Sequence, residues 1–395
     1  MIDISHIKTF VVVGSGTMGR EIAQVALMAG FNKIIINSRR TVSVDGAEEY
    51  IFNKLKELEV KGKLGEGVST ESLMAHLIKE TDLEKALANS DFVVESIPEI
   101  LERKQEIFEK MGKFCPEHTI LASNTSTMPI TKIGERSGRP EKIVGMHFFI
   151  PIPVLTVIEL IRGEKTSQET MDISFAVGEK LPSLKGKRFV VRIEKETPGF
   201  IVNRLTIGGA LYQNLVIDEA FEKGIPWEDV DADAGGLHQW GPLAKMDYLG
   251  LDVNYHCQMY FAEALSPDFT PGKVFTKLIK EGNFGKKTGK GFYEWNDKGE
   301  PILKKGKKAN LFNPEIYMAI QLNEGCRLLE EGVVSGYKII DDVILGAMSM
   351  PGPFSAGKKN YEKWSKMLEE LAEKSGKNYL KPCKLMKTGG FIKMR

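Results

Sequence analysis

The sequence predicts an α/β N-terminal domain on a mostly parallel sheet, followed by an all-α region in which one helical unit is duplicated. Three observations predict this. First, short apolar runs at residues 10–13, 34–36, 92–94, 119–122 and 143–146 alternate with amphipathic stretches such as 18–29 and 104–114. Strands buried on both faces read as continuous apolar runs, and their alternation with helices implies a parallel sheet covered on both sides. Second, beyond about Glu196 the segments become mostly helical, with punctuation such as Gly224-Ile225-Pro226 and Gly241-Pro242. Third, that half repeats itself. Asp229-Val230-Asp231 precedes Gly241-Pro242-Leu243 as Ile340-Asp341-Asp342 precedes Gly352-Pro353-Phe354, and each follows a helix closed by Glu222-Lys223-Gly224 or Glu330-Glu331-Gly332. Two divergent copies of one unit account for this pattern.

Three domains are therefore expected: a sheet domain over 1–195, a helical domain over 196–303 and its second copy over 304–395, joined by the polar stretch 304–310. The sheet domain carries a helical insertion at about 41–80, read as a long helix over 48–64, a turn at 65–67 and another helix. The boundary falls at 194–198. Residues 374–395 contain no acid and read as a solvated tail rather than a binding site.

Composition narrows the function. Of 395 residues 42% are hydrophobic and 27% charged, ample for a buried core, and the net charge of +1 provides no field for nucleic acid or a membrane surface. No apolar stretch approaches the roughly 18 residues of a membrane span. The N-terminus has no basic segment followed by a long apolar run. Cys115, Cys257, Cys326 and Cys383 are far apart, which argues against a disulfide framework or zinc site and suits a reducing, cytoplasmic location. No His/Cys/acid cluster has metal-ligand spacing, so no metal is expected.

Gly14-Ser15-Gly16-Thr17-Met18-Gly19 follows the first strand and opens the first helix, with a second apolar strand ending at Ile36. Alone the pattern is weak; in this context it marks a Rossmann-type dinucleotide site. Gly14 permits the tight turn, Gly16 lets a pyrophosphate approach the backbone, and Gly19 lets helix and strand pack closely. The helix start at Thr17 and Met18 presents free N–H groups to the phosphates. An acid at the end of the second strand would bind the ribose hydroxyls of NAD; here the residues are Asn37-Ser38-Arg39-Arg40. A neutral Asn37 followed by Ser38, Arg39 and Arg40 suits a 2′-phosphate, so the reading leans to NADP over NAD. NAD remains open, with Asn37 on the ribose and the arginines solvated.

Further motifs follow in order: Asp91-Phe92-Val93-Val94-Glu95-Ser96-Ile97-Pro98-Glu99, Ser123-Asn124-Thr125-Ser126, His147-Phe148-Phe149, Glu159, Pro198-Gly199-Phe200-Ile201-Val202-Asn203-Arg204, and Asn283-Phe284-Gly285-Lys286-Lys287-Thr288-Gly289-Lys290-Gly291-Phe292-Tyr293. Together they resemble the L-3-hydroxyacyl-CoA dehydrogenase family over about residues 7–295, and the trailing repeat resembles the second helical unit of its longer members. The resemblance implies an oxidoreductase that interconverts (S)-3-hydroxyacyl-CoA and 3-oxoacyl-CoA, with NAD the family's usual cofactor. It implies His147 as general base, Glu159 as its carboxylate partner, and Ser126 and Asn203 as the groups holding the reacting oxygen. It places Glu99, Lys104 and Asn124 with the cofactor. CoA enters as part of the substrate and is expected along the insertion; Lys54 and Lys61 are candidate phosphate partners there, although a solvated helix face is the commoner arrangement for each.

The chemistry agrees with these roles. Oxidising a secondary alcohol requires a base for the hydroxyl proton while hydride leaves, and histidine titrates near neutrality. His147 and Glu159 lie on successive apolar runs and are expected to meet across neighbouring strands. The remaining histidines, His6, His76, His118, His238 and His256, are expected to be structural or exposed. One departure stands out: the family usually continues His-Phe-Phe with Asn-Pro, where this chain has Ile150-Pro151. Two other readings stay open: a dehydrogenase of free hydroxy acids in the same superfamily, and a non-catalytic cofactor-binding sensor. Single-copy family members pair their helical domains as dimers, so the second copy is expected to take the partner's place, giving a monomer or pseudo-dimer, with a homodimer the alternative. The chain is not expected to hydrate enoyl-CoA.

Overall fold

The computed structural model describes residues 2–234 and 240–395. The sheet half runs β1 (Thr9–Val13), α1 (Thr17–Met28), β2 (Lys33–Asn37), α2 (Thr41–Val60), α3 (Thr70–Met74), β3 (Leu77–Glu80), α4 (Leu83–Leu87), β4 (Phe92–Glu95), α5 (Leu101–Phe114), β5 (Ile120–Ser123), α6 (Ile130–Ile133), β6 (Ile143–Phe148), β7 (Val157–Arg162), α7 (Gln168–Lys180) and β8 (Phe189–Ile193). The helical half runs α8 (Val202–Gly208), α9 (Ala210–Glu222), α10 (Trp227–Asp233), α11 (Pro242–Leu249), α12 (Leu251–Ala264), α13 (Lys273–Lys280), α14 (Pro314–Glu330), α15 (Tyr337–Met348), α16 (Pro353–Ser375) and α17 (Lys384–Thr388).

Eight strands form one sheet in the order β3-β2-β1-β4-β5-β6-β7-β8. Every pairing is parallel except β6 with β7. The middle strands are buried from end to end, as the unbroken apolar runs require when helices cover both faces. Phe10, Phe31 and Phe92 stack at the centre, with ring centroids 5.2 and 5.5 Å apart. The order of the strands reverses at β1, so the connections leaving the carboxyl ends of β1 and β4 run in opposite directions, and open α/β sheets bind ligands at such a point.

The structure adds two strands to the sequence reading. β3 is a half-exposed edge strand whose Leu-Ile-Lys-Glu gives almost no apolar signal; it is held by its register with β2. β8 pairs with β7 through Phe189-Val190-Val191. The insertion helix starts earlier than read, at Thr41 rather than 48, and ends at Val60. The helix after the turn is only α3, five residues with a Ser69 capping box.

The chain divides into two compact units. The first takes the chain up to Phe200 with Gly332–Val334 and Asp342–Gly352; the second takes Ile201–Glu331, Ser335–Asp341 and Pro353–Arg395. In the second unit the repeated motifs do the same work. Asp231 accepts from the backbone N–H of Leu243 at 2.8 Å and Ala244 at 3.2 Å, capping α11. Asp341 accepts from Phe354 N–H at 3.0 Å at the start of α16. Burial raises the pKa of both carboxyls. The glycine-rich stretch 283–293 is also structural: Asp247 accepts from Phe292 N–H, Tyr293 N–H and Trp295 Nε1, and a Cβ on Gly291 would lie 2.2 Å from Asp247 Oδ1.

The joining stretch 304–310 has no regular structure; Lys307 N–H donates to Asp229 Oδ1 and Asn310 N–H to Asp233 Oδ1. One expectation is corrected. Residues 374–395 are not a solvated tail. They form α17 and short 3-10 turns that bury Leu380, Met386 and Phe391 among the lysines. No helix among the described residues is long and apolar enough to cross a membrane.

A buried ion-pair network joins α8 to α14. Arg204 of α8, 1% exposed, bonds Glu324 of α14 through Nε at 2.7 Å and Glu331 through Nη2 at 2.7 Å. Tyr379 Oη and Arg327 complete the shell around Glu324. The helices approach closely at Gly209, where a Cβ would lie 2.1 Å from the Tyr317 ring. Glu324→Ala would leave the Arg204 guanidinium short of a carboxylate in a dry site. Loss of one partner of a buried pair costs about 3–5 kcal/mol, so urea denaturation is expected to show a destabilisation of that size.

Candidate active site

The glycine loop is shaped for a ligand. Gly14 has φ +110°, and a Cβ there would lie 2.3 Å from Ser96 O. A Cβ on Gly19 would lie 1.8 Å from Gly14 O, so any side chain there would force α1 away from β1. At Gly16, by contrast, a Cβ would meet nothing within 4 Å. That open space stands over the first turn of α1, which has no side-chain cap. Thr17 and Met18 therefore present uncapped N–H groups, and the cradle fits a pyrophosphate.

Asn37 ends β2, buried, and donates through Nδ2 to Glu80 O at 2.9 Å, while Gly14 N–H donates to Asn37 O. Arg39 and Arg40 are exposed and make no ion pair among the described residues; Ser38 is half-buried beside them.

The carboxyl ends of β4 and β5 hold a charged cluster. Lys104, 1% exposed, bonds Glu95 Oε1 at 2.7 Å and Glu99 Oε2 at 3.1 Å. Burial alone would lower the Lys104 pKa, but the two carboxylates outweigh it and hold it above the ordinary value. Glu95 also accepts from Ser123 Oγ at 2.6 Å and Ile97 N–H at 2.7 Å. Glu99 accepts from Ser126 N–H at 2.9 Å and from Thr125 Oγ1. Glu95 receives no role in the sequence reading; its signal there is an acid closing an otherwise apolar strand.

His147 and Glu159 are direct partners in the antiparallel register of β6 and β7. Nδ1 and Glu159 Oε2 are 2.7 Å apart, with His147 3% and Glu159 0% exposed. An ionised carboxylate only accepts, so with Glu159 ionised Nδ1 is the donor and Nε2 is the ring nitrogen turned away from Glu159. The ring lies against Phe149 and Phe200, at centroid distances of 4.5 and 5.8 Å. Asn124 braces this end of β6, its Oδ1 accepting from Phe148 N–H at 3.0 Å.

The first unit thus brings together His147 with Glu159, and Glu99 with Lys104 and Ser126. Asn203 lies in the first turn of α8, in the second unit. Lys54 is half-exposed and pairs with Glu57 at 2.9 Å, and Lys61 is exposed at the end of α2. His76, His118 and His256 bond Asn32 O, Asp91 and Asp252 O, His6 is exposed, and His238 lies outside the described residues. No group of three or more His, Cys, Asp or Glu side chains among the described residues could hold a metal.

Comparison with known proteins gives matches along most of the chain. Residues 9–195 match the family model for the NAD binding domain of 3-hydroxyacyl-CoA dehydrogenase, and residues 199–295 match the model for its C-terminal domain. A probable 3-hydroxybutyryl-CoA dehydrogenase of Bacillus subtilis is 36% identical over 299 residues, 74% of this chain and 99% of that protein. The human mitochondrial hydroxyacyl-coenzyme A dehydrogenase is 34% identical over 73% of this chain and 91% of its own length. The crystal structure of 3-hydroxybutyryl-CoA dehydrogenase from Escherichia coli K12 is similar over 98% of both chains, with a TM-score of 0.81 and 25% identity.

Gly19→Ala tests the cradle. The added methyl collides with the Gly14 carbonyl, so NADH affinity by fluorescence titration is expected to fall by about tenfold or more, with a lower melting temperature.

Proposed function

The chain belongs to the 3-hydroxyacyl-CoA dehydrogenase family, and on that premise we propose that it interconverts short-chain (S)-3-hydroxyacyl-CoA and 3-oxoacyl-CoA with His147 as the acid–base residue. The observation that carries the assignment is the buried cross-strand pair of His147 and Glu159. A nicotinamide dinucleotide, when bound, supplies the hydride acceptor for oxidation. His147 Nε2 takes the C3 hydroxyl proton as the C3 hydrogen leaves with its electron pair, and the C3–O bond becomes a carbonyl. Glu159 holds the ring in the required tautomer and stabilises the imidazolium that forms. In the reverse direction His147 returns that proton to the oxygen.

Ser126 and Asn203 are the proposed donors to the reacting oxygen. Ser126 is fixed by its own backbone, tied to Glu99. Lys104 has both its neighbouring carboxylates as partners, so its proposed influence on the cofactor runs through Glu99. Asn124 holds the floor between β5 and β6 on the same side. The exposed, unpaired Arg39 and Arg40 favour a 2′-phosphate at the end of β2, which supports NADP over NAD. The second helical copy, 304–395, is proposed as a divergent duplicate that packs on the first within one chain.

Two outcomes are expected. Acetoacetyl-CoA should drive loss of absorbance at the dihydronicotinamide band, while free acetoacetate should not, and His147→Ala should lower kcat by about a hundred- to ten-thousand-fold. No turnover with either cofactor in folded protein overturns the reading. If Arg39 holds a 2′-phosphate, Arg39→Ala removes a charge-assisted bond of about 1.5–3 kcal/mol, so kcat/KM should fall by about tenfold or more with NADPH and stay near its value with NADH.

A further inference from the structure

Arg20 follows Gly19 directly in α1. Its guanidinium lies over the Tyr50 ring of α2, with Cζ 3.7 Å from the centroid. Its Nε is buried and has no hydrogen-bond partner among the described residues, and no ion pair reaches Arg20 from them. The obvious partner, Glu21, is committed elsewhere: Oε1 accepts from Tyr50 Oη at 3.1 Å and Oε2 from Ile152 N–H at 2.7 Å. A charged donor held rigidly against an aromatic face, with a buried N–H unmet, is an unusual arrangement to retain without a ligand.

The surroundings indicate the ligand's charge. The glycine cradle is one step back along α1. On α2, Tyr50, Lys54, Glu57 and Lys61 follow at helical spacing, so the ring that holds Arg20 begins a mainly basic stripe. The ring contact holds the guanidinium beside the cradle, and a guanidinium is the group that can grip two oxygens of a phosphate at once.

We propose that Arg20, held over the Tyr50 ring, is an anion-binding residue for a diphosphate group. Two diphosphates are available to the enzyme: that of the dinucleotide at the glycine loop, and that of the CoA carrier along α2. Their identity rests on the dehydrogenase reading; the anion site does not.

Calorimetric titration of the full chain with free coenzyme A and with ADP-ribose separates the sources. Arg20→Met keeps the stem and removes the fork, and should weaken one of the two ligands by about tenfold, or about 1.4 kcal/mol, while changing the other by less than about twofold. Arg20→Lys keeps the charge without the fork and should fall between. A loss confined to coenzyme A assigns Arg20 to the substrate; a loss confined to ADP-ribose assigns it to the cofactor. No loss for either, an equal loss for both, or a wild type that binds neither overturns the proposal. Wild-type turnover of acetoacetyl-CoA, measured in the same preparation, tests the dehydrogenase reading separately.

Discussion

A carboxylate taken out of water must be met by donors, and three of those this chain buries are met by buried basic side chains. Glu95, Glu159 and Glu324 are each 1% exposed or less, and each faces a buried basic partner: Lys104, His147 and Arg204. Removing either member strands the other in a low-dielectric site. The partners therefore constrain one another's elements. Glu95 joins the end of β4 to α5, Glu159 joins β7 to β6, and Glu324 joins α14 to α8. Each pair acts as a fixed length between two elements that the sheet or the helix packing alone would allow to shift.

The reversal of β7 makes the central pair possible. In an antiparallel ladder opposing residues face one another directly, so His147 and Glu159 share one face at one level. A slip of one residue would turn the Glu159 side chain to the other face of the sheet and leave the imidazole without its acceptor. The antiparallel strand at this place in a parallel sheet is thus the local condition for a histidine of defined tautomer. Asn124 adds a second constraint, since its bond to Phe148 N–H fixes the backbone beside that histidine.

What could be read from the sequence follows the physics of burial. β1, β2, β4, β5 and β6 are legible because burial on both faces demands continuous apolar runs. The glycine loop is legible because a positive φ at Gly14 and backbone contact at Gly19 admit no other residue comfortably. β3 was not, since an edge strand with one half-exposed face carries little apolar signal. The folded C-terminus was not, since Leu380, Met386 and Phe391 are widely spaced among lysines and give no helical or strand period, although they are buried in turns packed on α14 and α16. In the candidate site, His147 and Glu159 could be paired from adjacent apolar runs. Glu95 could not, because its meaning lies in partners at β5 and α5, and Arg20 could not, because its meaning lies in a Tyr50 contact and in a buried Nε that has no hydrogen-bond partner among the described residues.

The Ile150 departure becomes intelligible in the same terms. Its side chain is 55% exposed, so it contributes no polar group to the end of β6. The loop that follows is anchored from elsewhere. Glu21 accepts from Ile152 N–H, and Arg188 donates to Ile152 O, Leu155 O, Leu181 O and Pro182 O. Arg188 is buried with carbonyls for partners, and desolvation lowers its pKa to about 10, still charged at neutral pH. A guanidinium can bridge four carbonyls where one asparagine side chain could satisfy fewer. The segment between His147 and Glu159 is therefore held by a charge beneath it and a carboxylate beside it, which frees position 150 from a structural role. The pair at the base of the site then depends on strand register and on these distant anchors, and not on a polar side chain in the loop itself.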